Sequence, residues 1–136
     1  WAAVDPDRLA QVLANLVENA YKFATRAVTV SGSADPGRIV LTVEDDGPGI
    51  PPSELARVFE RHYQVPRSPA RQAGSGVGLA IVAELVAAMS GSVLAVSPVS
   101  GSRGTRMEIA LSAWEPLTPA APPAAASAEP RPPAAD

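Results

Sequence analysis

Cysteine is absent from the 136 residues, and histidine occurs once, at His62. The first absence excludes a disulfide framework and a thiolate metal site. The second excludes most histidine-rich metal centres. No apolar run approaches the length needed to cross a membrane, and the first residues lack the pattern of a signal peptide, so the segment itself reads as soluble. Strong charge of one sign is missing too: a net charge of −3 gives no general pull toward nucleic acid. Lysine is nearly missing, with Lys22 alone among the arginines. The charge is nevertheless uneven. Arg57, Arg61, Arg67 and Arg71 crowd a short segment whose only acid is Glu60, which suggests a local anion.

What is present suits one domain, residues 1–112, followed by a Pro/Ala-rich stretch, 113–136, that cannot form a core. That tail reads either as an inert terminus or as a docking segment. Asp5-Pro6 predicts an N-cap and first turn, opening a helix over 5–24. Leu9, Leu13, Leu16, Ala20 and Phe23 form its predicted buried stripe. Gln11, Asn15, Asn19 and Lys22 form a second stripe at the same period. Asparagine is a poor helix former, so this stripe is either a hydrated face or a selected one. Alternation over 27–34 and 38–44, broken by Asp35-Pro36-Gly37, predicts a hairpin. Residues 53–59 read as one or two helical turns, 60–75 as an aperiodic mobile segment, and 76–90 as a helix stopped by Gly91. A second hairpin, 92–99 and 105–111, closes an α+β two-layer sandwich with helices on one face of a mixed sheet. The order does not suit a doubly wound parallel fold.

Two glycine-rich stretches carry the chemistry. Gly74-Ser75-Gly76-Val77-Gly78 opens into a helix, where free N–H groups and the helix dipole suit a phosphate, although the same composition serves a flexible hinge. It lacks the Gly-Lys-Ser/Thr of a P-loop and the spacing of a Rossmann fingerprint. Asp45-Asp46-Gly47-Pro48-Gly49 follows a strand. Its carboxylates could bind a metal, cap a turn or accept hydrogen bonds from a base amino group.

Together with their order, these stretches resemble the ATP-binding catalytic domain of bacterial sensor histidine kinases. That family lies within the Bergerat-fold superfamily, which also holds gyrase and heat-shock chaperone ATPases. Asn15-Leu16-Val17-Glu18-Asn19-Ala20 is similar to the N box, Asp45 to Gly49 to the first glycine box, and Val58-Phe59-Glu60-Arg61 to the F box. Gly74 to Leu79 is similar to the second glycine box, and Gly104-Thr105 to a short closing one. The resemblance implies that Asn19, supported by Asn15, holds Mg²⁺, an ion that takes oxygen ligands and keeps phosphate and water in its shell. It implies that Lys22 meets the phosphates, that Phe23 lies beside adenine, and that Asp45 accepts from the adenine amino group. Gly47, Gly49 and Ile50 would line the base end. Gly74, Gly76, Val77, Gly78 and Leu79 would line the phosphate end, with Thr105 a minor polar contact. Residues of about 60–75 would be an ATP lid in which Arg61, and with it Arg67 or Arg71, reaches the outer phosphates. Asn15, Lys22 and Arg61 would then be the groups acting at the reacting phosphates.

The expected activity is that of an ATP-dependent protein histidine kinase in two-component signalling. ATP or ADP and Mg²⁺ would bind here, and the γ-phosphoryl would pass to a histidine on an upstream dimerisation domain, then to a response regulator. The intact protein would be a homodimer anchored in the cell membrane, with this domain in the cytoplasm. Hydrolytic relatives carry a glutamate where this chain has Asn15, and an amide cannot act as a general base, which favours transfer over hydrolysis. His62 falls in the F-box region and is not the expected acceptor. The alternatives are a superfamily serine kinase acting on a protein partner, and a silent nucleotide-sensing module.

Overall fold

The computed structural model describes residues 4–66 and 75–113. The expected tail after Ala113, the middle of the expected lid with Arg67 and Arg71, and Gly74 lie outside the described residues. Helix α1 (Pro6–Phe23) starts where the sequence places its signals. The Asp5 carboxylate accepts the N–H groups of Asp7 at 2.9 Å and Arg8 at 3.3 Å, Pro6 sits where no intrahelical donor is needed, and Asp7 and Lys22 complement the dipole at opposite ends. Strands β1 (Val28–Asp35) and β2 (Arg38–Asp45) form the first hairpin. Helix α2 (Gly78–Ala88), β3 (Ser92–Val96) and β4 (Thr105–Ser112) follow.

All pairings are antiparallel, in the order β1-β2-β4-β3. The two-layer α+β arrangement is the expected one, but the expected mixed sheet is corrected. The crossover through α2 does return β3 in the direction of β2. The turn after β3 then folds β4 into the gap between them, where it pairs with both.

Both helices cover one face. Val12, Leu16 and Ala20 of α1 and Val82 and Val86 of α2 meet Val43 of β2 and Met107, Ile109 and Leu111 of β4. The buried line of α1 is centred one position from the predicted stripe. Val12, Leu16 and Ala20 form the fully buried line, with Leu9 and Leu13 only partly covered beside it, because α1 rests on the sheet and on α2 at once. The opposite sheet face is polar, with Arg106 paired to Glu44 at 2.9 Å and Arg38 to Glu108 at 3.9 Å.

Two further expectations are corrected. In place of a helix over 53–59 there is a single 3-10 turn, Pro52–Glu54, continued by i to i+3 bonds that reach Arg57, Glu60 and Tyr63 in succession. A segment this short, entered through two prolines, never closes an α-helical nucleus. Helix α2 ends in a Schellman arrangement, with the Ser90 and Gly91 N–H groups on Ala87 and Val86 carbonyls at 2.9 Å each; the left-handed residue is Ser90 (φ 56). Strand β3 stops at Val96, short of the expected 99, because Pro98 has no N–H to give the ladder.

Candidate functional site

The core-facing side of β2 and β4 is apolar until its last register pair, Asp45 opposite Thr105, each only 6% exposed. A carboxylate that continues an apolar row needs a partner, and Asp45 Oδ1 accepts the Gly47 N–H at 2.8 Å. Burial pushes the Asp45 carboxyl above its ordinary range; that hydrogen bond pulls the other way, and the neighbouring Asp46 charge adds to the rise. Asp46 does a different job. Its Oδ1 accepts the N–H groups of Thr25, Arg26 and Ala27 at 2.8, 3.0 and 3.2 Å. Those donors, Arg26 and Ala27 foremost, hold its pKa down. Of the two adjacent acids, one ties the α1–β1 connection, and the other, bonded to Gly47, lines the cleft. Gly47 makes this possible: a Cβ there would stand 2.3 Å from the Phe23 carbonyl oxygen, so only glycine lets the turn tuck under the end of α1.

Asp45 opens into a cleft of about 610 Å³, a size typical of small-molecule sites. Asn15, Asn19, Lys22 and Phe23 of α1 form its floor, Asp45 and Thr105 one end, and Gly49 and Ile50 one wall. Gly76, Val77, Gly78 and Leu79, entering α2, form the other wall. The structure thus brings most of the sequence-predicted residues together. Gly47 is not on the lining but behind Asp45. Arg61 is not on it either: its Nε donates to Glu84 Oε1 of α2 at 3.0 Å, and Nη2 donates to the same oxygen. Gly74 lies outside the described residues.

Several polar groups share the lining with the buried carboxylate. Lys22 Nζ is 3.1 Å from Glu18 Oε1, and α2 starts after Val77 without a side-chain cap. The first N–H groups of α2 therefore have no side-chain acceptor, and a Cβ on Gly78 would meet nothing within 4 Å. An uncapped, unobstructed helix start has the free N–H groups and the dipole that suit an anion, and Lys22 lines the same cleft. Also on the lining, Asn15 Nδ2 is buried with no hydrogen-bond partner, a cost that a bound polar group would remove.

For a metal, no cluster of three or more His, Cys, Asp or Glu exists among the described residues. Besides Asp45 and the Lys22-paired Glu18, the lining offers the neutral amides of Asn15 and Asn19. That set fits a hard cation that takes most of its oxygens from phosphate and water.

The two ends of the expected lid are joined, since the His62 N–H donates to Gly76 O at 2.8 Å. His62 itself turns the chain with φ 60, and its Nδ1 lies 3.4 Å from Ser75 O. The sequence reading missed Glu18 and Tyr63, which also line the cleft. Glu18 was detectable, because Asn15, Glu18, Asn19 and Lys22 share one helical face at i, i+3, i+4 and i+7. Tyr63 carried no periodic signal. Its ring lies under Arg57 at 4.3 Å from the guanidinium carbon, and its hydroxyl is buried without a partner.

Comparison with known proteins agrees with this geometry. The family described as histidine kinase-, DNA gyrase B-, and HSP90-like ATPase matches residues 4–115. The signal transduction histidine-protein kinase AfsQ2 of Streptomyces coelicolor is 41% identical over 100 residues, covering 74% of this chain and 19% of that protein. The chain thus spans about a fifth of the length of the curated relatives it matches. Among solved structures, the mycobacterial sensor histidine kinase MprB superposes with a TM-score of 0.72 at 35% identity, over 82% of this chain and 76% of that one. Full-length ShkA, solved in complex with AMPPNP, superposes with a TM-score of 0.69 at 36% identity, over 83% of this chain and 24% of that one.

Proposed function

The chain belongs to the histidine kinase-, DNA gyrase B-, and HSP90-like ATPase family, and on that premise we propose that its cleft binds Mg·ATP and serves as the catalytic domain of a sensor histidine kinase. One observation carries the reading: a single cleft is lined by a buried carboxylate, Asp45, an uncapped helix start, Lys22 and two asparagines. Asp45 accepts from the adenine amino group, and Thr105, Ile50 and Gly49 close around the base. The N–H groups opening α2 and the Lys22 ammonium take the phosphates. Mg²⁺, held by the Asn19 amide with Asn15 in support, neutralises phosphate charge when bound. Position and charge are then what the protein supplies to the transfer.

Asn15 offers no general base, which supports storage of ATP for a protein acceptor over its hydrolysis. That acceptor is a histidine on a dimerisation domain of a longer parent, from which a response regulator takes the phosphoryl group. The kinases this chain resembles support that parentage. Among the described residues no helix is long and apolar enough to cross a membrane. Membrane anchoring belongs to other parts of the parent, with this domain in the cytoplasm.

Titration calorimetry of this chain with ATP and ADP, with and without Mg²⁺, tests the reading. Binding is expected at sub-millimolar nucleotide, and Asn19→Ala is expected to remove the Mg²⁺-dependent part. No affinity at millimolar nucleotide would sink the proposal. Phosphoryl transfer in trans to a supplied dimerisation domain tests the kinase step, and binding without transfer would reduce the chain to a nucleotide-sensing module.

A further inference from the structure

The base end of the cleft is not held by its own loop. Residues 46–51 form no strand or helix, and Gly49 adopts φ 83 in the middle of them. Asp46 and Gly47 anchor the start of this loop, and what holds its Gly49–Ile50 end lies behind, on the segment that leaves β3. The Ser97 hydroxyl accepts the Ile50 N–H at 2.8 Å and donates to the Gly104 carbonyl at 2.8 Å. Gly104 in turn gives its N–H to the Gly47 carbonyl at 2.9 Å and immediately precedes Thr105. Ser97 is absent from the cleft lining, whereas Gly49, Ile50 and Thr105 are all on it. A Cβ on Gly49 would lie 2.8 Å from Ser97 Oγ, so the loop is pressed directly against the hydroxyl.

We propose that Ser97 is a positioning residue for the base end of the nucleotide site. It uses both hydrogen-bonding capacities of one hydroxyl to hold the Gly49–Ile50 wall in register with Gly104 and Thr105 across from it. Serine suits the place because a hydroxyl accepts and donates through one atom, which alanine cannot do. Removing it leaves the Ile50 N–H and the Gly104 carbonyl without that partner. The wall then shifts relative to Asp45, while α2 and Lys22, which Ser97 does not touch, keep the phosphate end intact. The inference rests on the ATP-binding reading.

The test measures Ser97→Ala by calorimetry against three probes, ATP, adenosine and inorganic tripolyphosphate, well below the unfolding midpoint of each protein. ATP and adenosine are expected to weaken by the same factor, about tenfold, and tripolyphosphate not at all. Ser97→Thr, which keeps the hydroxyl, is expected to restore affinity to within about twofold. A wild-type chain that binds no ATP overturns the function and this inference together. A wild type that binds, with Ser97→Ala equal to it, overturns the inference alone. So does a Ser97→Ala protein that loses tripolyphosphate affinity by the same factor, since the loosening would then be general, and so does a Ser97→Thr protein as weak as Ser97→Ala.

Discussion

Along α1 and the β2–β4 pair, the groups facing the cleft stand directly on the core. Asn15 and Asn19 flank the buried line of Leu16 and Ala20, and Asp45 and Thr105 continue the rows of Val43 and Met107. Along residues 55–66, by contrast, the chain is held by successive tight turns, one buried side chain at Val58, and exposed pairs such as Arg57 with Glu60 and Arg61 with Glu84. The floor is fixed by packing, in which a group displaced by an ångström has nowhere else to go. The rim relies on turns, on Val58 and the partly buried Phe59, and on surface ion pairs that are each worth little. On the proposed Mg·ATP function, that difference gives base and metal to the floor and the outer phosphates to the rim.

The largest effect expected from breaking this contrast is at Leu16, fully buried between the two asparagines. Leu16→Ala should cost about 2–5 kcal/mol of stability, read from the urea midpoint. Because α1 carries Asn15, Asn19 and Lys22 together, nucleotide affinity should fall with it. A Leu16→Ala protein of unchanged stability would mean that the floor is not core-supported.

The second effect is chemical. Asp45→Asn keeps shape but loses the charged acceptor, and ATP affinity should drop roughly tenfold to a hundredfold, as for a hydrogen bond to a charged group. The stability effect has the opposite sign. Burial raises the folded-state pKa of Asp45, so its contribution to stability is fullest below the ordinary carboxylate pKa and is lost as pH rises through the raised value. At neutral pH Asp45→Asn should therefore unfold at a higher temperature than wild type, with the advantage shrinking toward acid. ATP affinity of the wild type should fall in the same acid window, because the protonated carboxyl no longer accepts freely. A lower midpoint for Asp45→Asn at pH 7 would show that the charge is better solvated than its burial implies.

The floor was legible in the sequence for the reason it is rigid. A residue on a long periodic helix announces its face, so Asn15 and Asn19 could be placed beside the core from spacing alone. Asp45, by contrast, read as following its strand, is the strand's last residue. The family motifs gave all three their expected roles. What spacing could not supply was the strand order, since the insertion of β4 between β2 and β3 is a tertiary choice with no local signature. It also could not supply the split between Asp45 and Asp46, adjacent residues of one type, because Asp46 is taken by N–H groups some 20 residues away in the chain while Asp45 accepts from nearby Gly47. The rim was legible only as a motif. Its partners, Glu84 for Arg61 and Gly76 for His62, come from distant positions with no shared period.

The smallest effect is the one that decides how mobile the rim is. Sequence resemblance sends Arg61 to the phosphates, whereas the structure pairs it with Glu84, both side chains more than half exposed at 56% and 58%. An exposed pair of this kind contributes at most about 1 kcal/mol and is weakened by salt. If Arg61 stays on Glu84 when nucleotide binds, Arg61→Ala should change ATP affinity by less than about threefold and lower stability only slightly, and Glu84→Ala should do the same. If the guanidinium leaves Glu84 for the γ-phosphate, the two variants must diverge. Arg61→Ala then weakens ATP but not ADP, while Glu84→Ala strengthens ATP by releasing the arginine. Measuring both nucleotides on both variants separates a static rim from one that rearranges on the ligand, because a static ion pair has no means of distinguishing ATP from ADP.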